Sequence, residues 1–488
     1  MLDKDLASIQ ETRDLLRKAT EAQKILAKMS QEKIDSICKA IAKAGFDNRK
    51  LLAKMAAEET GFGKWQDKVI KNQFASKTVF DAIKDMKTVG ILREDKLNKL
   101  TEIGIPMGVI AGLIPSTNPT STVIYKTLIS IKAGNAIVFS PHPSAKKSIH
   151  KTVELLKKAA VEAGCPEDAI GVQDTLSMSG TDELMKNDMT KLILATGGSA
   201  MVKAAYSSGT PAIGVGPGNG PAYIERSADI STAIKNIIES KTFDNGTICS
   251  SEQSIVVDKS IKEKVIAELK NRKAYFLNED EAAKLSKFIL RANGTMNPQI
   301  VGKSVSTIAK LASLDSVPSD ATVLVAPETK VGHNVPFSRE KLGPILAFYT
   351  VENWKEACKL CYEILTNEGA GHTMTIHSTD DAVIKAFALE KPVSRLLVNT
   401  PGTLGGIGAT TNLFPALTLG CGAVGGSSTS DNISPLNLIN IKRVVHGIRT
   451  MEDIRGVVKE EVGNQTNLDL KENELIELLV EKIIAKLN

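Results

Sequence analysis

Short β-branched runs alternate with helical runs between Thr101 and about Ser240, and this alternation limits the possible fold more than any other feature. The strand-like runs include "MGVIAGLIP", "NAIVFSP", "TKLILAT", "PAIGVG" and "PAYIE", and amphipathic stretches such as "SAKKSIHKTVELLKKAAVEAG" lie between them. Units of about 20 to 30 residues in this order are typical of βαβ crossovers on a parallel sheet. A second α/β stretch occupies about 241 to 420, and helical periodicity dominates residues 4 to 90. The sequence therefore predicts an α/β fold of about two or three domains.

The composition excludes several classes of protein. Of the 488 residues 42% are hydrophobic, which is enough for a large core, and the N-terminus lacks the apolar run and cleavage site of a secretory signal. No segment approaches the roughly 18 apolar residues of a membrane span, so we expect a cytoplasmic protein with no membrane partner. The net charge of +5 is small and the lysines are not clustered, so no nucleic-acid partner is expected.

The six cysteines lie far apart, which argues against a disulfide framework and indicates free thiols. The single C-x-x-C, "CKLC" at 358–361, lies in a stretch of amphipathic periodicity, and no second pair completes a zinc site. We therefore interpret it as core packing and expect no metal. Cys249 is different, because it lies in the small and polar tract "SKTFDNGTICSSEQS". At this point it is either a buried structural thiol or a nucleophile.

One glycine-containing turn is a candidate nucleotide site. In "LILATGGSAMVKAAYSSG" a strand runs into Thr196, Gly197 and Gly198, and a helix begins near Ser199. Glycines let the backbone approach a ligand, and the free amides at a helix N-terminus attract phosphate. A plain strand-to-helix turn is the alternative. "GCGAVG" also matches G-x-G-x-x-G, but no helix follows it, so it is rejected as a dinucleotide fingerprint.

Asn118, in "AGLIPSTNPTST", follows another predicted strand. An isolated Asn-Pro usually marks only a turn. Together with Cys249, however, its amide could donate to the oxyanion that forms when a thiol attacks a carbonyl, as could the Cys249 backbone amide. Such donors each supply about 3 kcal/mol of transition-state stabilisation.

Several stretches, in order along the chain, resemble the aldehyde dehydrogenase superfamily, and in particular its CoA-acylating branch. The matching stretches are "IPSTNPTST", "FSPHPSAKKS", "ILATGGSAMVKAAYSSG", "GVGPGN", "KTFDNGTICSSEQS", "EKLGPILAFY", "GAGHT" and "TLGCGAVGG". The resemblance covers about residues 1 to 450. It implies a Rossmann-like cofactor domain without G-x-G-x-x-G, an α/β catalytic domain and a small β oligomerisation flap.

The resemblance also implies domain boundaries. They are 1–95 and 112–240 for the cofactor domain, 96–111 and 422–455 for the flap, and 241–421 for the catalytic domain.

The same resemblance assigns roles to individual residues. Cys249 is the nucleophile and Asn118 the oxyanion donor, and His372 in "GAGHT" either lines the aldehyde pocket or is a structural histidine. The residues assigned to the cofactor site are Ser116, Thr117, His142, Pro143, Thr196, Gly197, Gly198, Ser199 and Glu340. Glu340 matches the glutamate that holds the nicotinamide-side ribose. His142 stands where hydrolytic members carry lysine, which favours NAD but leaves NADP open.

A missing residue indicates how the reaction ends. Hydrolytic relatives carry a general-base glutamate where this chain has Val215 or Gly216 in "GVGPGNG". Without a positioned base water is a poor nucleophile toward a thioester, whereas the thiol of CoA exchanges readily. The sequence therefore predicts oxidation of acetaldehyde or propionaldehyde to acyl-CoA. The alternatives are a hydrolytic enzyme, for which Glu252 could be a substitute base rather than a helix-start carboxylate, and a non-catalytic scaffold.

The C-terminal tail differs in texture from the rest. We predict a polar linker over 459–473 and an amphipathic helix over 474–488, in which Ile476, Leu479, Val480, Ile483 and Leu487 share one face. This arrangement resembles the encapsulation peptides of bacterial microcompartments, which implies that shell or core proteins are partners. The alternative is packing on its own domain or on a sister subunit of a homodimer or homotetramer.

Overall fold

The computed structural model describes residues 3–291 and 294–487, and for Ser199, residues 456–470 and Leu487 it describes the backbone alone. Helices form the N-terminal part and two strands follow them. These elements are α1 (Lys4–Leu26), α2 (Gln31–Asp47), α3 (Arg49–Thr60), α4 (Trp65–Gln73), a π-helical turn (Phe74–Thr78), α5 (Val79–Ile83), β1 (Gly90–Asp95) and β2 (Leu100–Pro106). The first two helices begin at residues typical of N-caps, since the side chains of Asp3 and Ser30 accept hydrogen bonds from backbone amides of the first turn.

The first of two large sheets has five parallel strands in the order β5-β4-β3-β6-β7. The strands are β3 (Val109–Ile114), β4 (Ala136–Pro141), β5 (Ile170–Val172), β6 (Thr190–Thr196) and β7 (Ala212–Val215). The helices between them are α6 (Pro119–Lys132), α7 (Lys146–Glu162), α8 (Met178–Lys186) and α9 (Ser199–Tyr206). All residues of β3 and β4 are buried, as expected of strands covered on both faces.

The second sheet has seven parallel strands in the order β10-β11-β12-β9-β8-β13-β14. The strands are β8 (Pro221–Ile224), β9 (Ser254–Asp258), β10 (Ala274–Phe276), β11 (Val323–Pro327), β12 (Ile345–Val351), β13 (Gly371–His377) and β14 (Val393–Val398). The accompanying helices are α10 (Ile230–Thr242), α11 (Lys262–Asn271), α12 (Glu279–Ile289), α13 (Val305–Leu311), α14 (Trp354–Asn367), α15 (Asp381–Glu390) and α16 (Gly402–Gly406). Alternate strand residues enter two different hydrophobic clusters, so each face of this sheet has its own core. Cys358 and Cys361 are buried on α14 in one of these cores, as their periodicity predicts.

A smaller compact unit contains Ile91–Ile103 and the chain after Asn440. Its strands belong to a three-stranded sheet of order β1-β2-β15, with β15 at Ile439–Val445, and the helix α17 covers Met451–Leu487. No helix in the part of the chain that the structure describes is long and apolar enough to cross a membrane.

Predicted boundaries need correction in three regions, namely the flap, the end of the cofactor domain and the tail. The smaller unit begins at Ile91, so 91–95 of the predicted cofactor range 1–95 belong to it. Residues 104–111 of the predicted flap range 96–111 belong to the larger unit, with 109–111 in the central strand β3, and so do 422–440. β8 and α10, which were placed in the cofactor range 112–240, pack in the second sheet because β8 pairs with β9 and β13. The runs "MGVIAGLIP" and "PAYIE" predict buried strands, but neither run indicates which sheet the strand joins.

The third correction concerns the tail. Residues 459–473, predicted to be a linker, are helical within α17. Glu, Lys and Leu are good helix formers, and a single interior glycine costs only about 1 kcal/mol. A polar composition therefore does not prevent a helix.

Candidate active site

The predicted cofactor residues converge on one edge of the first sheet. Ser116, Thr117 and Asn118 follow β3, His142 and Pro143 follow β4, and Thr196 ends β6, with Gly197 and Gly198 next. These strands are parallel, so their carboxyl ends meet at the same edge. β4, the next strand in sequence, pairs with one side of β3, and β6 pairs with the other side. Dinucleotides bind at such a switch point in open α/β sheets.

The turn after β6 has the properties of a ligand cradle. The Thr196 hydroxyl is buried and has no hydrogen-bond partner among the described residues. A Cβ at Gly198 would meet no atom within 4 Å, so open space lies against the backbone at the start of α9. The side chain of Ser199 lies outside the described residues. The residues present therefore fit a phosphate or ribose group of a dinucleotide.

The predicted nucleophile Cys249, the pocket candidate His372 and the cofactor candidate Glu340 lie at a different edge, at the amino ends of the parallel strands of the second sheet. Cys249 precedes β9, Glu340 precedes β12, and His372 is the second residue of β13. The loop 216–220 runs from the carboxyl end of β7 in the first sheet to the amino end of β8 in the second. This glycine-rich loop therefore joins the two groups of candidate residues.

The loop passes directly over the cysteine. A Cβ on Gly218 would lie 1.7 Å from the Cys249 carbonyl oxygen, so only glycine fits there. The Gly218 amide donates to Oε1 of Glu340 at 2.9 Å. The stretch "GVGPGNG" contains no carboxylate, and Val215 is a buried strand residue that closes β7. A Cβ at Gly216 would lie 3.9 Å from the Gly425 carbonyl oxygen, so the loop lacks a carboxylate because of its sequence and not for lack of space.

The turn before Cys249 is held in an uncommon conformation. Asp244, Asn245 and Gly246 all have positive φ, at 48°, 52° and 72°. Such strain persists only where the surroundings fix it. Here the Asn245 amide donates to the Gly302 carbonyl at 2.9 Å, and Asp244 lies at the centre of a buried polar cluster.

Two lysines of α4 form that cluster with Asp244. Lys68 and Lys71 both donate to Oδ2 of Asp244, and all three side chains are almost fully buried. Burial alone would raise the pKa of Asp244, but the two ammonium groups bring it below the usual value. Burial lowers the pKa of Lys71 to about 8, against the attraction of Asp244.

Asn118 lies on top of this cluster, as the N-cap residue of α6. Lys71 Nζ donates to its Oδ1 at 2.5 Å, and its Nδ2 donates to the Thr247 carbonyl at 3.2 Å. Lysine has no acceptor, so the oxygen end of the amide must face Lys71. The NH₂ end therefore points toward the turn that carries Cys249, which is the orientation an oxyanion donor requires.

His372 directly contacts the candidate nucleophile. Its Nε2 lies 3.2 Å from the Cys249 sulfur. Burial, with the nearby Arg395 charge, lowers the pKa of His372 to about 3, so the ring is neutral at physiological pH. The sequence left His372 between a pocket residue and a structural histidine, and the structure places it on the thiol.

Cys249 itself is half-buried and one of six free thiols. Burial raises its pKa to about 12, the Glu340 carboxylate adds to this rise, and the Arg395 charge opposes it. In the described residues directly after "GTICSSEQ", no helix begins whose N-terminus could lower the pKa of the thiol. Residues 247–253 form turns and irregular chain that lead into β9, because "SIVVD" is a β-branched run at the centre of the sheet.

Two other carboxylates near the cysteine have raised pKa values. Burial, with the neighbouring Glu368, raises the pKa of Glu340 to about 8. Burial raises the pKa of Glu252 to about 7. Glu252 accepts from the Gly402 amide at 2.7 Å, at the start of α16. It is therefore a helix-start carboxylate, although of a helix about 150 residues away in sequence rather than of an adjacent one.

His142 is exposed, and its Nδ1 accepts from the Ser144 amide at 3.1 Å. It lies beyond β4 on the same edge as the Thr196 turn, and its outer ring edge faces solvent.

Four residues of the site were missed from sequence, namely Lys71, Asp244, Thr373 and Arg395. From sequence, Lys71 cannot be distinguished from a lysine on an exposed helix surface, since α4 is rich in polar residues. Asp244 lies inside the quoted tract, but its importance depends on lysines about 175 residues away. The sequence contained one hint, because Asp, Asn and Gly in "FDNG" are the residues that most readily adopt positive φ.

Comparison with known proteins agrees with this geometry. Residues 4–411 match the sequence profile of the aldehyde dehydrogenase family. The chain is 44% identical to the bifunctional aldehyde-alcohol dehydrogenase of Escherichia coli K12 over 451 residues, which is 91% of this chain and 50% of that protein. It therefore spans about half the length of that relative.

Solved structures are also similar to the chain. A probable aldehyde dehydrogenase of Listeria monocytogenes is 67% identical with a TM-score of 0.92, covering 93% of this chain and 100% of that one. An acetylating aldehyde dehydrogenase of Geobacillus thermoglucosidasius is 54% identical with a TM-score of 0.90, covering 92% and 99%. A propionaldehyde dehydrogenase from the fucose utilisation bacterial microcompartment of Clostridium phytofermentans is 27% identical with a TM-score of 0.81, covering 90% and 98%.

Proposed function

The chain belongs to the aldehyde dehydrogenase family, and from that premise we propose that it oxidises acetaldehyde or propionaldehyde to acyl-CoA through a thioester on Cys249, with NAD and CoA as co-substrates. The observation that carries this proposal is the arrangement around Cys249. His372 contacts the sulfur, Asn118 is oriented toward the same turn, and a loop without a carboxylate covers the cysteine.

The first step is attack by the Cys249 thiolate on the aldehyde carbon. The new C–S bond forms while the carbonyl electron pair moves to oxygen, and the Asn118 amide and the Cys249 backbone amide stabilise this oxyanion. The chemistry that bound NAD would supply is acceptance of a hydride from the former aldehyde carbon. The acyl group then remains as a thioester on Cys249. The thiolate of CoA then attacks the acyl carbon, and the bond to Cys249 breaks with its electron pair on the sulfur.

Cofactor binding is proposed at the carboxyl edge of the first sheet. The turn Thr196–Gly198 with Ser199 holds the phosphates, and Ser116, Thr117, His142 and Pro143 line the same edge. Glu340 faces the nicotinamide-side ribose, for which its position beside the Cys249 loop is suitable. The first sheet is then the cofactor domain and the second sheet the catalytic domain.

A hydrolytic reaction is disfavoured by the loop 216–220 over Cys249, which carries no carboxylate. Oε1 of Glu252 is hydrogen-bonded to the Gly402 amide, and Oε1 of Glu340 is hydrogen-bonded to the Gly218 amide. Oε2 of Glu252 is buried and has no hydrogen-bond partner among the described residues, so the absence of a carboxylate from the loop 216–220, rather than the hydrogen bonds of Glu252, disfavours hydrolysis. CoA, which brings its own thiol, does not need a base on the loop.

The test is direct observation of the intermediate. Incubation with propionaldehyde and NAD, without CoA, should add a propionyl group to the tryptic peptide containing Cys249, and CoA should then remove it as propionyl-CoA. Cys249→Ala is the control. Labelling of another cysteine, or release of propionate at the same rate without CoA, would overturn the proposal.

We further propose that the tail directs the enzyme into a bacterial microcompartment. Apolar side chains on the last turns of α17 are about half exposed or more, and they are Leu475, Ile476, Leu479, Val480, Ile483 and Ile484. An amphipathic helix with an uncovered apolar face is typical of a segment that docks on another protein. The similar structure from the Clostridium phytofermentans microcompartment supports this location.

Deletion of 474–488 tests this second proposal. We expect unchanged solution activity and loss of co-purification with shell or core proteins. Loss of activity, or of the oligomer, would instead assign the helix to the fold.

The flap is proposed to form a homodimer or homotetramer. Ile441, Val444 and Val445 of β15 expose between 44% and 64% of their surface, which is unusual for apolar strand residues without a partner. Light scattering on the full chain and on a Val444→Lys, Val445→Lys variant tests this, and a monomeric wild type would contradict it.

A further inference from the structure

A chain of hydrogen bonds leads from the candidate nucleophile to a buried arginine. His372 Nε2 is 3.2 Å from the Cys249 sulfur, and His372 Nδ1 is 3.0 Å from the Thr373 hydroxyl. Arg395 Nε then lies 3.2 Å from the same hydroxyl. Thr373 and Arg395 are 1% and 4% exposed, so solvent does not compete for these bonds.

Arg395 is fixed in place by its other contacts. A guanidinium has five N–H donors and no acceptor. Beside the Thr373 hydroxyl, its remaining acceptors are the carbonyls of His372, Gly420 and Ser430 and Oδ1 of Asn432. These five contacts match its five donors, so the group has no freedom to rotate.

The donor-only arginine determines the direction of the next bond. Because Arg395 Nε must donate, the Thr373 oxygen accepts, and its own hydrogen is left for another acceptor. Within the described part of the chain, the hydroxyl contacts only Arg395 and His372. A buried hydroxyl hydrogen without an acceptor is costly, so it points to His372 Nδ1.

The tautomer of His372 follows. A neutral imidazole has one N–H and one acceptor nitrogen. Since Nδ1 accepts from Thr373, the hydrogen of the ring is on Nε2, which faces the Cys249 sulfur. The ring is therefore arranged to donate to the sulfur, and it has no lone pair there with which to take the thiol proton.

We propose that Thr373 and Arg395 are positioning residues that hold His372 as a neutral Nε2–H donor to Cys249, so that His372 stabilises the thiolate instead of acting as its base. The inference rests on Cys249 being the nucleophile of the proposed function. The thiol proton leaves to solvent, which reaches the half-buried cysteine. The same donor stabilises the sulfur when the thioester bond to the enzyme breaks, because the electron pair then returns to Cys249.

Other groups also act on the thiol, and the test must hold them constant. Glu340 and Cys421 raise the pKa of Cys249, and Arg395 lowers it. Substitution of Arg395 would therefore change both the local charge and the tautomer. Thr373 is uncharged, so its substitution removes the hydrogen bond to His372 without changing the local charge.

The experiment compares Thr373→Val with Thr373→Ser. The rate of Cys249 alkylation by iodoacetamide is measured as a function of pH by peptide mass spectrometry, with Cys249→Ala as the blank. No aldehyde, NAD or CoA is present, so the result is independent of whether the acyl group leaves on CoA or on water. Thr373→Ser should follow the wild type. Thr373→Val should react about tenfold more slowly at pH values well below the thiol pKa, which corresponds to a thiol pKa about one unit higher.

Two outcomes of the alkylation experiment overturn the proposal. One is an unchanged profile in Thr373→Val, and the other is faster alkylation, which would make His372 a base that Thr373 restrains.

If circular dichroism shows that Thr373→Val does not fold, the tautomer of His372 is measured in the wild-type protein instead. In ¹⁵N-histidine-labelled protein, with His372→Asn to assign the signal, an unprotonated Nδ1 supports the proposal and a protonated Nδ1 contradicts it.

Discussion

The Lys71 ammonium donates to Oδ1 of Asn118 at 2.5 Å, and this contact determines which end of the amide faces the Cys249 turn. Lys71 also donates to Asp244, which lies in the positive-φ turn that precedes Cys249. One buried cluster thus supports both the proposed oxyanion donor and the proposed nucleophile. Substitutions in this cluster should therefore change kcat in ways that a general loss of stability would not.

Lys71→Met should lower kcat about 10- to 100-fold with little change in the aldehyde KM, because the Asn118 amide loses its fixed orientation. The measurement is steady-state NADH formation. Lys77→Met is the matched control, since Lys77 is also a helical lysine paired with an aspartate but has a 60% exposed side chain.

A double-mutant cycle separates positioning from stability. If Lys71 acts through Asn118, then Lys71→Met should have little further effect on kcat in an Asn118→Ala background. Additive losses would mean that Lys71 has a role independent of Asn118.

Gly218→Ala should abolish activity and destabilise the protein, because its Cβ would lie 1.7 Å from the Cys249 carbonyl oxygen. Relief of that clash requires movement of the nucleophile or of the loop that donates to Glu340. Gly447→Ala meets no atom within 4 Å and is the control. Activity of Gly218→Ala within a factor of about two of the wild type would contradict the close approach.

The pH dependence of stability should contain a contribution from Glu252. Burial raises its pKa to about 7 from 4.5, so between these values the folded protein holds a proton that the unfolded chain has lost. Stability from this group is therefore fully present below about pH 4.5 and decreases as pH rises through about 7, by up to about 3 kcal/mol.

Glu252→Gln removes this titration. Denaturant unfolding at about pH 5 and about pH 8 should show a smaller loss of stability in Glu252→Gln than in the wild type. Glu154→Gln, with a 65% exposed side chain, should follow the wild type. Equal pH slopes for all three proteins would show that Glu252 titrates normally.

The sequence carried most of the information about the position of the candidate cofactor site. Asn118, His142 and Thr196 each follow a β-branched run, and parallel strands bring such positions to one edge of a sheet. The resemblance to the family added Glu340 and Cys249, which follow no such local rule because they precede their strands.

The parts that could not be predicted depend on long-range contacts. The Asp244–Lys71 pair and the His372–Thr373–Arg395 chain join residues that local patterns treat as independent. The domain limits were misplaced for the same reason, since β8 is contiguous in sequence with the first sheet but pairs in the second. The helical character of 459–473 is not evident from the sequence because a polar composition is equally typical of a linker.

The central claim is that the Cys249 thioester is released by CoA and not by water, and pre-steady-state NADH formation tests it most directly. With propionaldehyde and NAD but no CoA, we expect a burst of at most about one NADH per active site and then almost no turnover. Addition of CoA should restore continuous turnover, and Cys249→Ala should show neither phase. Continuous turnover at the full rate without CoA would contradict the account.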